Sequence, residues 1–392
     1  MTYRKLKADI LFDGYKMLPP DTVLICSPDG KMEEMVHEGD AGGDIEKFQG
    51  LIVPGLINCH CHLELSHLQG LIPEKQGLVN FVLSVMSQRF KDFPMKREAI
   101  QNAEISMLNE GIVAVGDICN TIDTGFVKQA KQLVYYNFIE LLGWAPEQAS
   151  ARFEAGEKLA ATFIEMGLNA NHISLSPHAA YSVSDKLWEM MKKGFVHKTI
   201  TIHNQEAAAE NEFFVSGTGD LVSMYARMNL PASQFQIPGI RSLPYYLPRL
   251  KEAEKVLLVH NTFMAEEDIV EAKEFKEDLF FCFCPNANEY IENRLPDIPL
   301  FLKHNARIVL GTDSLASNQQ LSILEEMKTI KKTYPGISSL DMLIWATSNG
   351  ARALGFDSAL GEFSKGKKPG IVLIENLSGT EIGPESRSRR LV

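Results

Sequence analysis

Eight short apolar runs rich in β-branched residues recur along this 392-residue chain, separated by stretches of helical periodicity. They read as buried strands at Leu51–Asn58, Ile112–Ile118, Leu133–Leu142, Ile173–Ser176, Thr199–Ile202, Val256–Val259, Leu279–Phe283 and Ile308–Leu310. Between them Lys96–Asn109, Ala151–Met166, Asp185–Lys193, Glu266–Glu274 and Leu321–Lys332 are long enough for helices and mostly amphipathic. Strand alternating with helix requires a parallel sheet, and strands apolar on both faces must be covered on both. Eight of them favour closure into a (β/α)8 TIM barrel over an open sheet, so the expected fold class is α/β.

The flanks carry a different signal. Residues 1–50 mix short strand-like pieces, Asp9–Phe12 and Thr22–Cys26, with turn residues and no convincing long helix. Gly361–Leu377 repeats that character, GKKPG running into IVLIEN. Neither end alone could bury much surface. The expectation is therefore a small composite β-sandwich from residues 1–52 plus 357–392 beside a barrel spanning 53–356, with a polar, loose tail after about Gly379.

Composition narrows the partners. With 39 Lys and Arg against 50 Asp and Glu the net charge is −11, which argues against nucleic acid. No apolar run is long enough to span a bilayer, and the charged start MTYRKLKADILFDG is unlike a signal peptide, so a cytoplasmic protein without membrane contact is expected. Six cysteines, at 26, 59, 61, 119, 282 and 284, are too few and too unevenly spaced for a disulfide framework.

Five ligand-type side chains fall at strand ends. His60 and His62 follow LIVPGLINC, and spacing i, i+2 on extended chain sets both imidazoles on one side and Cys59 and Cys61 on the other. This makes HxH a two-point metal clamp, and a Cys-His-Cys-His thiolate site fails because adjacent strand residues cannot converge on one ion. His203 closes the fifth strand in TITIHNQE, His260 the sixth in VLLVHN, and Asp313 the eighth in IVLGTDS. In a parallel barrel these ends share one mouth. A lone His at a strand end is most often a hydrogen-bonded structural residue, but five converging ionisable groups need a compensating charge, which a metal ion supplies. The nitrogen and carboxylate donors suit Zn²⁺ or Fe²⁺ better than Mg²⁺ or Ca²⁺.

These motifs together resemble the amidohydrolase superfamily along the whole chain. PGLINCHCHLE is similar to its PGxxxxHxH motif, HNQE to the HxxE of its deaminases, GTDSLASN to their final-strand segment, and GEFSKGKKPGIVLI to the family's closing segment. The chain departs at Asn58, where many members have Asp, and at Gly370-Ile371-Val372, in place of Ala-Asp. Within the superfamily the branch of chlorohydrolases and of guanine, S-adenosylhomocysteine, methylthioadenosine and aminodeoxyfutalosine deaminases is the most similar. Strand four, HISLSPHAAYS, has neither the Lys nor the Glu that bridges two ions in two-metal members. The resemblance thus implies one divalent transition metal, zinc ahead of iron, held by His60, His62, His203 and Asp313. Glu140, in NFIELLGW, reads as a structural carboxylate at a strand end, the other reading being a bridge to a second ion.

The resemblance also implies roles. Glu206 would protonate a ring nitrogen, the other reading being a solvated helix start; His260 would orient hydroxide, and Asp313 would accept its proton during attack at C6 of an adenine-type ring, releasing ammonia. His178, Glu64, Ser314 and Asn318 are candidates to bind substrate, and Arg89, Arg227 or Arg241 to pair with a charged tail. EAAAENEFFVSGTGDL favours aminodeoxyfutalosine ahead of S-adenosylhomocysteine and methylthioadenosine. The alternatives are deamination of guanine or another aromatic amine, ring opening of a cyclic amide as in imidazolonepropionase-like members, and a catalytically silent binding barrel. A small-molecule substrate is expected, and a homodimer is compatible with the sequence.

Overall fold

The computed structural model describes residues 3–89, 91, 93–230 and 235–392. Two all-parallel four-stranded sheets form its centre. Strands β1 (Arg4–Leu11), β2 (Thr22–Cys26), β3 (Met32–His37) and β4 (Ile45–Pro54) precede them, and β13 (Ile371–Glu375) and β14 (Arg387–Arg390) follow. The first central sheet runs β5-β6-β7-β8, from β5 (Leu56–Cys61), β6 (Ile112–Cys119), β7 (Val134–Leu141) and β8 (Ile173–Pro177). The second runs β12-β11-β10-β9, from β9 (Thr199–Asn204), β10 (Lys255–His260), β11 (Leu279–Phe283) and β12 (Ile308–Leu310). All residues of β6 and β11 are buried, as strands covered on both faces must be.

Backbone bonds tie the two sheets at both seams. His203 N donates to His178 O at 2.9 Å beside β8 and β9, and Thr312 N and Asp313 N both donate to His60 O at 3.0 Å beside β12 and β5. Residues expected at the site thus make the seams themselves.

The helices follow the expected amphipathic stretches. Lys96–Asn109 buries Ile100, Ala103 and Met107 along one face, and the chain then turns at Gly111, whose φ is +87°. A Cβ there would stand 2.5 Å from Val372 Cγ2, so only glycine fits between this helix and β6. The other expected helices appear as Ala149–Glu165, Asp185–Met191, Glu266–Phe275 and Ile323–Thr333. No helix of the described residues is long and apolar enough to cross a membrane, and all six cysteines are free and buried.

Both chain ends share one six-stranded sheet, in the order β14-β13-β4-β1-β2-β3. Its apolar side carries Leu6, Leu24, Ile52, Phe363, Ile371 and Leu373. Two expectations are corrected. The run Leu51–Asn58 is two strands: residues up to Pro54 pair with β1 and β13, and after Gly55 the chain enters the parallel sheet. A Cβ on Gly55 would lie 2.5 Å from Pro369 O and 2.3 Å from Val113 Cγ1, and apolar residues on both sides of this break hide it in the sequence. The tail beyond Gly379 is not loose, because Arg387–Arg390 pairs antiparallel with β13 and Ile382 and Ser386 are buried.

Candidate active site

His60 and His62 leave the end of β5 with ring centroids 5.0 Å apart, and each Nε2 lies 3.5 Å from Asp313 Oδ1. His203, near the end of β9, brings its Nε2 to 3.3 Å from that of His62, while its Nδ1 donates to His178 O at 2.7 Å. That bond sets the tautomer and leaves the Nε2 lone pair facing the other rings. Both ring nitrogens of fully buried His60 lack a hydrogen-bond partner among the described residues. One atom each of His60, His62 and His203 lie within 4.8 Å of one another, as do atoms of His60, His260 and Asp313.

A buried imidazole with neither nitrogen satisfied is costly, and three rings around a carboxylate are the donor set of a divalent transition metal. The residues therefore fit the ion that the resemblance implies. Burial pushes the His62 ring down to about 4 and the His260 ring down to about 3, so both are neutral and able to offer lone pairs at pH 7. Asp313 is held well below the usual carboxylate range: burial acts upward, but the close approach of the His60, His62 and His260 rings outweighs it. Its Oδ2 accepts from Ser317 Oγ.

The chain is strained where it presents these groups. Gln205, His260 and Asp313 adopt φ of +43°, +71° and +59°, a region disfavoured for residues with a Cβ. The turn at Gln205 places Glu206, 5% exposed, with Oε1 at 3.6 Å from His260 Nε2. Burial, then the charges of Asp313, Glu292 and Glu210, raise the Glu206 carboxyl well above its ordinary range, which favours its protonated form. Asn288 Nδ2 lies 3.3 Å from His260 Nδ1 and donates to Thr262 Oγ1 at 2.7 Å, which fixes the ring.

An open cavity reaches these groups. His62, His178, His203, Glu206, His260, Asp313 and Ser314 line its polar side, and Leu78, Phe81, Val82 and Val85 of helix α1 (Gly77–Gln88) form an apolar wall completed by Trp144 and Tyr181. His178 Nδ1 is 2.8 Å from Ser182 Oγ. Two of the substrate candidates are otherwise engaged. Glu64 Oε1 accepts from Arg89 Nη2 at 2.6 Å, and its Oε2 accepts from Asn120 N, Thr121 N and Thr121 Oγ1. Asn318 Nδ2 donates to Thr312 O at 2.9 Å and to Glu326 Oε1 at 2.8 Å, tying the loop after β12 to Ile323–Thr333. Neither is among the residues lining the cavity.

Of the three arginines, Arg89 lines the cavity, whereas Arg227 bonds Asn80 and Arg241 bonds Asp268 away from it. Sequence reasoning missed Asn288, Ser317, Ser182 and the buried Asp117–Lys128 pair, at 2.6 Å, whose Asp117 Oδ1 accepts from Leu63 N just past His62. The only sequence signal for them was a polar residue beside an apolar strand.

The pattern of the amidohydrolase family matches residues 51–385. The chain belongs to the amidohydrolase family. Among amidohydrolase relatives, it is 24% identical over 373 residues to the aminodeoxyfutalosine deaminase of Deinococcus radiodurans, covering 90% of this chain and 86% of that protein. It is 26% identical over 347 residues to the 5-methylthioadenosine/S-adenosylhomocysteine deaminase of Saccharophagus degradans, covering 83% and 71%. The crystal structure of Helicobacter pylori aminofutalosine deaminase in complex with methylthio-coformycin superposes with a TM-score of 0.80 at 22% identity, covering 95% of this chain and 92% of that one.

Proposed function

We propose that this amidohydrolase is a metal-dependent hydrolytic deaminase of an adenine-type nucleoside, using one divalent transition metal held by His60, His62, His203 and Asp313. The observation that carries the reading is the fully buried His60 ring, both of whose nitrogens lack a partner among the described residues, set among His62, His203 and Asp313 next to the buried Glu206. The two four-stranded sheets close into one (β/α)8 barrel over residues 55–356, supported by the backbone bonds at both seams, and residues 1–54 plus 357–392 form the composite β-unit.

An ion in such a site acidifies water and so supplies a nucleophile near neutral pH. The chain's own groups move the protons. Glu206 delivers its proton to the ring nitrogen beside the amine-bearing carbon. His260, with Nδ1 against Asn288, turns its Nε2–H toward the attacking oxygen, and Asp313 accepts the proton that water gives up. His178 and Ser314 contact the ring system. Asp313 then hands that proton to the exocyclic amine, Glu206 recovers one from the new C6 hydroxyl, the C6–N bond breaks and ammonia leaves.

The cavity favours a nucleoside whose 5′ substituent is apolar and ends in an anion: α1 supplies an apolar wall, and Arg89 is the arginine that lines it. This agrees with aminodeoxyfutalosine ahead of S-adenosylhomocysteine and methylthioadenosine, and the relatives named above include deaminases of both kinds. The test is ammonia release, as kcat/KM, from these three nucleosides, adenosine, guanine and a hydantoin-type amide. Aminodeoxyfutalosine should be fastest. Fastest turnover of guanine would move the protein to the guanine-deaminase reading, and amide hydrolysis without ammonia would overturn deamination.

A further inference from the structure

One carboxylate in the cavity has no part in the reaction above. Glu140, at the end of β7, lines the cavity and is 8% exposed. Its Oε2 accepts from Asn120 Nδ2 at 2.9 Å, while Oε1, also buried, has no hydrogen-bond partner among the described residues. A carboxylate oxygen withdrawn from water needs a donor. His203 Nδ1 is 3.7 Å from Oε1 but spends its hydrogen on His178 O.

One atom each of Glu140, His178 and His203 lie within 4.8 Å of one another, a spacing that invites a second ion. The tautomer argues against it. With Nδ1 protonated, His203 offers no lone pair on that side, and two ligands remain where a metal wants at least three. A donor from the substrate is the better partner. Glu140 feels the charges of His178, His62 and Arg89 and lines the same cavity as the reacting centre and that arginine. Once the exocyclic amine of an adenine nucleoside sits beside Glu206 and Asp313, the donors left on a 5′-modified nucleoside core are its sugar hydroxyls.

We propose that Glu140 is a specificity-determining residue whose cavity-facing oxygen accepts a hydrogen bond from the 2′- or 3′-hydroxyl of the substrate's ribose. This rests on the nucleoside reading above. Asn120 holds the carboxylate in place, and Glu140 thereby distinguishes ribonucleosides from their deoxy analogues and from free bases.

The experiment compares kcat/KM for adenosine, 2′-deoxyadenosine and 3′-deoxyadenosine in the metal-loaded wild type, Glu140→Gln and Glu140→Ala, with metal content measured alongside. The wild type should prefer adenosine over at least one deoxy analogue by about tenfold or more, the low end for a hydrogen bond to a charged group. Glu140→Ala should bring that ratio to within about twofold and keep its metal, with Glu140→Gln between the two because the amide oxygen still accepts. Wild-type indifference to both deoxy analogues overturns the proposal, whether or not the variants fold, while leaving deamination intact. Retention of the preference by Glu140→Ala, or loss of metal in either variant, overturns it as well. Absence of any adenosine-type turnover overturns the nucleoside reading and this proposal with it.

Discussion

At the ends of the parallel strands, His60, His62, His203, Glu206, His260 and Asp313 are each at most 9% exposed, and His60 has no hydrogen-bond partner at either nitrogen among the described residues. In the sheet built from both chain ends the interior is apolar, and the ionisable groups pair on the outside, Arg4 with Glu46 at 2.7 Å across side chains 28% and 42% exposed. The same residue types are therefore placed under opposite solvation. A surface pair loses little hydration and contributes little, whereas buried groups without partners cost several kcal/mol and persist only where something bound repays them. The buried Asp117–Lys128 pair sharpens the contrast. It lies close to the site, yet each charge has its partner and a backbone N–H or a thiol completes it. Burial alone does not mark the candidate site; a cluster of buried imidazoles around a carboxylate, with one ring unpartnered among the described residues, does.

The contrast breaks first, if it breaks, at the ligands. His203→Ala and Asp313→Ala should each lose bound metal and on the order of 10³-fold or more in kcat, because the ion's contribution is several kcal/mol of transition-state stabilisation. Full metal occupancy in both variants, measured by elemental analysis, would place the ion elsewhere. Next comes Glu206→Gln, expected to keep its metal and lose about 10²- to 10⁴-fold in kcat. With Glu206 as the proposed acid and its pKa raised by burial, wild-type kcat/KM should fall as pH rises through that raised pKa. A Glu206→Gln variant that still shows this limb would assign it to another group.

A smaller effect is expected at Arg89→Gln, where a carboxylate-bearing nucleoside should lose about tenfold to a hundredfold in kcat/KM and adenosine should be nearly unaffected. Equal losses on both substrates would make Arg89 a support for the loop around Glu64 instead. The smallest effect belongs to the end sheet. Arg4→Ala should cost less than about 1 kcal/mol by denaturant titration and leave kcat/KM unchanged. A large loss of activity there would mean that the two regions are coupled.

The parallel strands were legible because each is apolar on both faces, and the gathering of His60, His62, His203, His260 and Asp313 was legible because strand ends in a parallel sheet point one way. Polar partners were harder. Asn288 is 28 residues from His260, and Arg89 is 25 from Glu64, so nothing local in the sequence couples them. Glu64 and Asn318 look like pocket residues because they neighbour ligands in sequence, but one grips Arg89 and the other ties a loop to Glu326. The break at Gly55 stayed hidden because apolar residues continue through it into a different sheet. The last strand stayed hidden because RSRR is polar, and its pairing with β13 depends on backbone hydrogen bonds that side-chain pattern does not report.

The central claim is that the buried polar cluster holds a single divalent ion on which deamination depends, and the most direct measurement is metal stoichiometry titrated against ammonia release as a chelator strips the protein. The expected result is about one ion per chain, with activity falling in proportion and returning on addition of zinc or ferrous ion. Two ions per chain at full activity, or undiminished ammonia release from metal-free protein, would contradict the account.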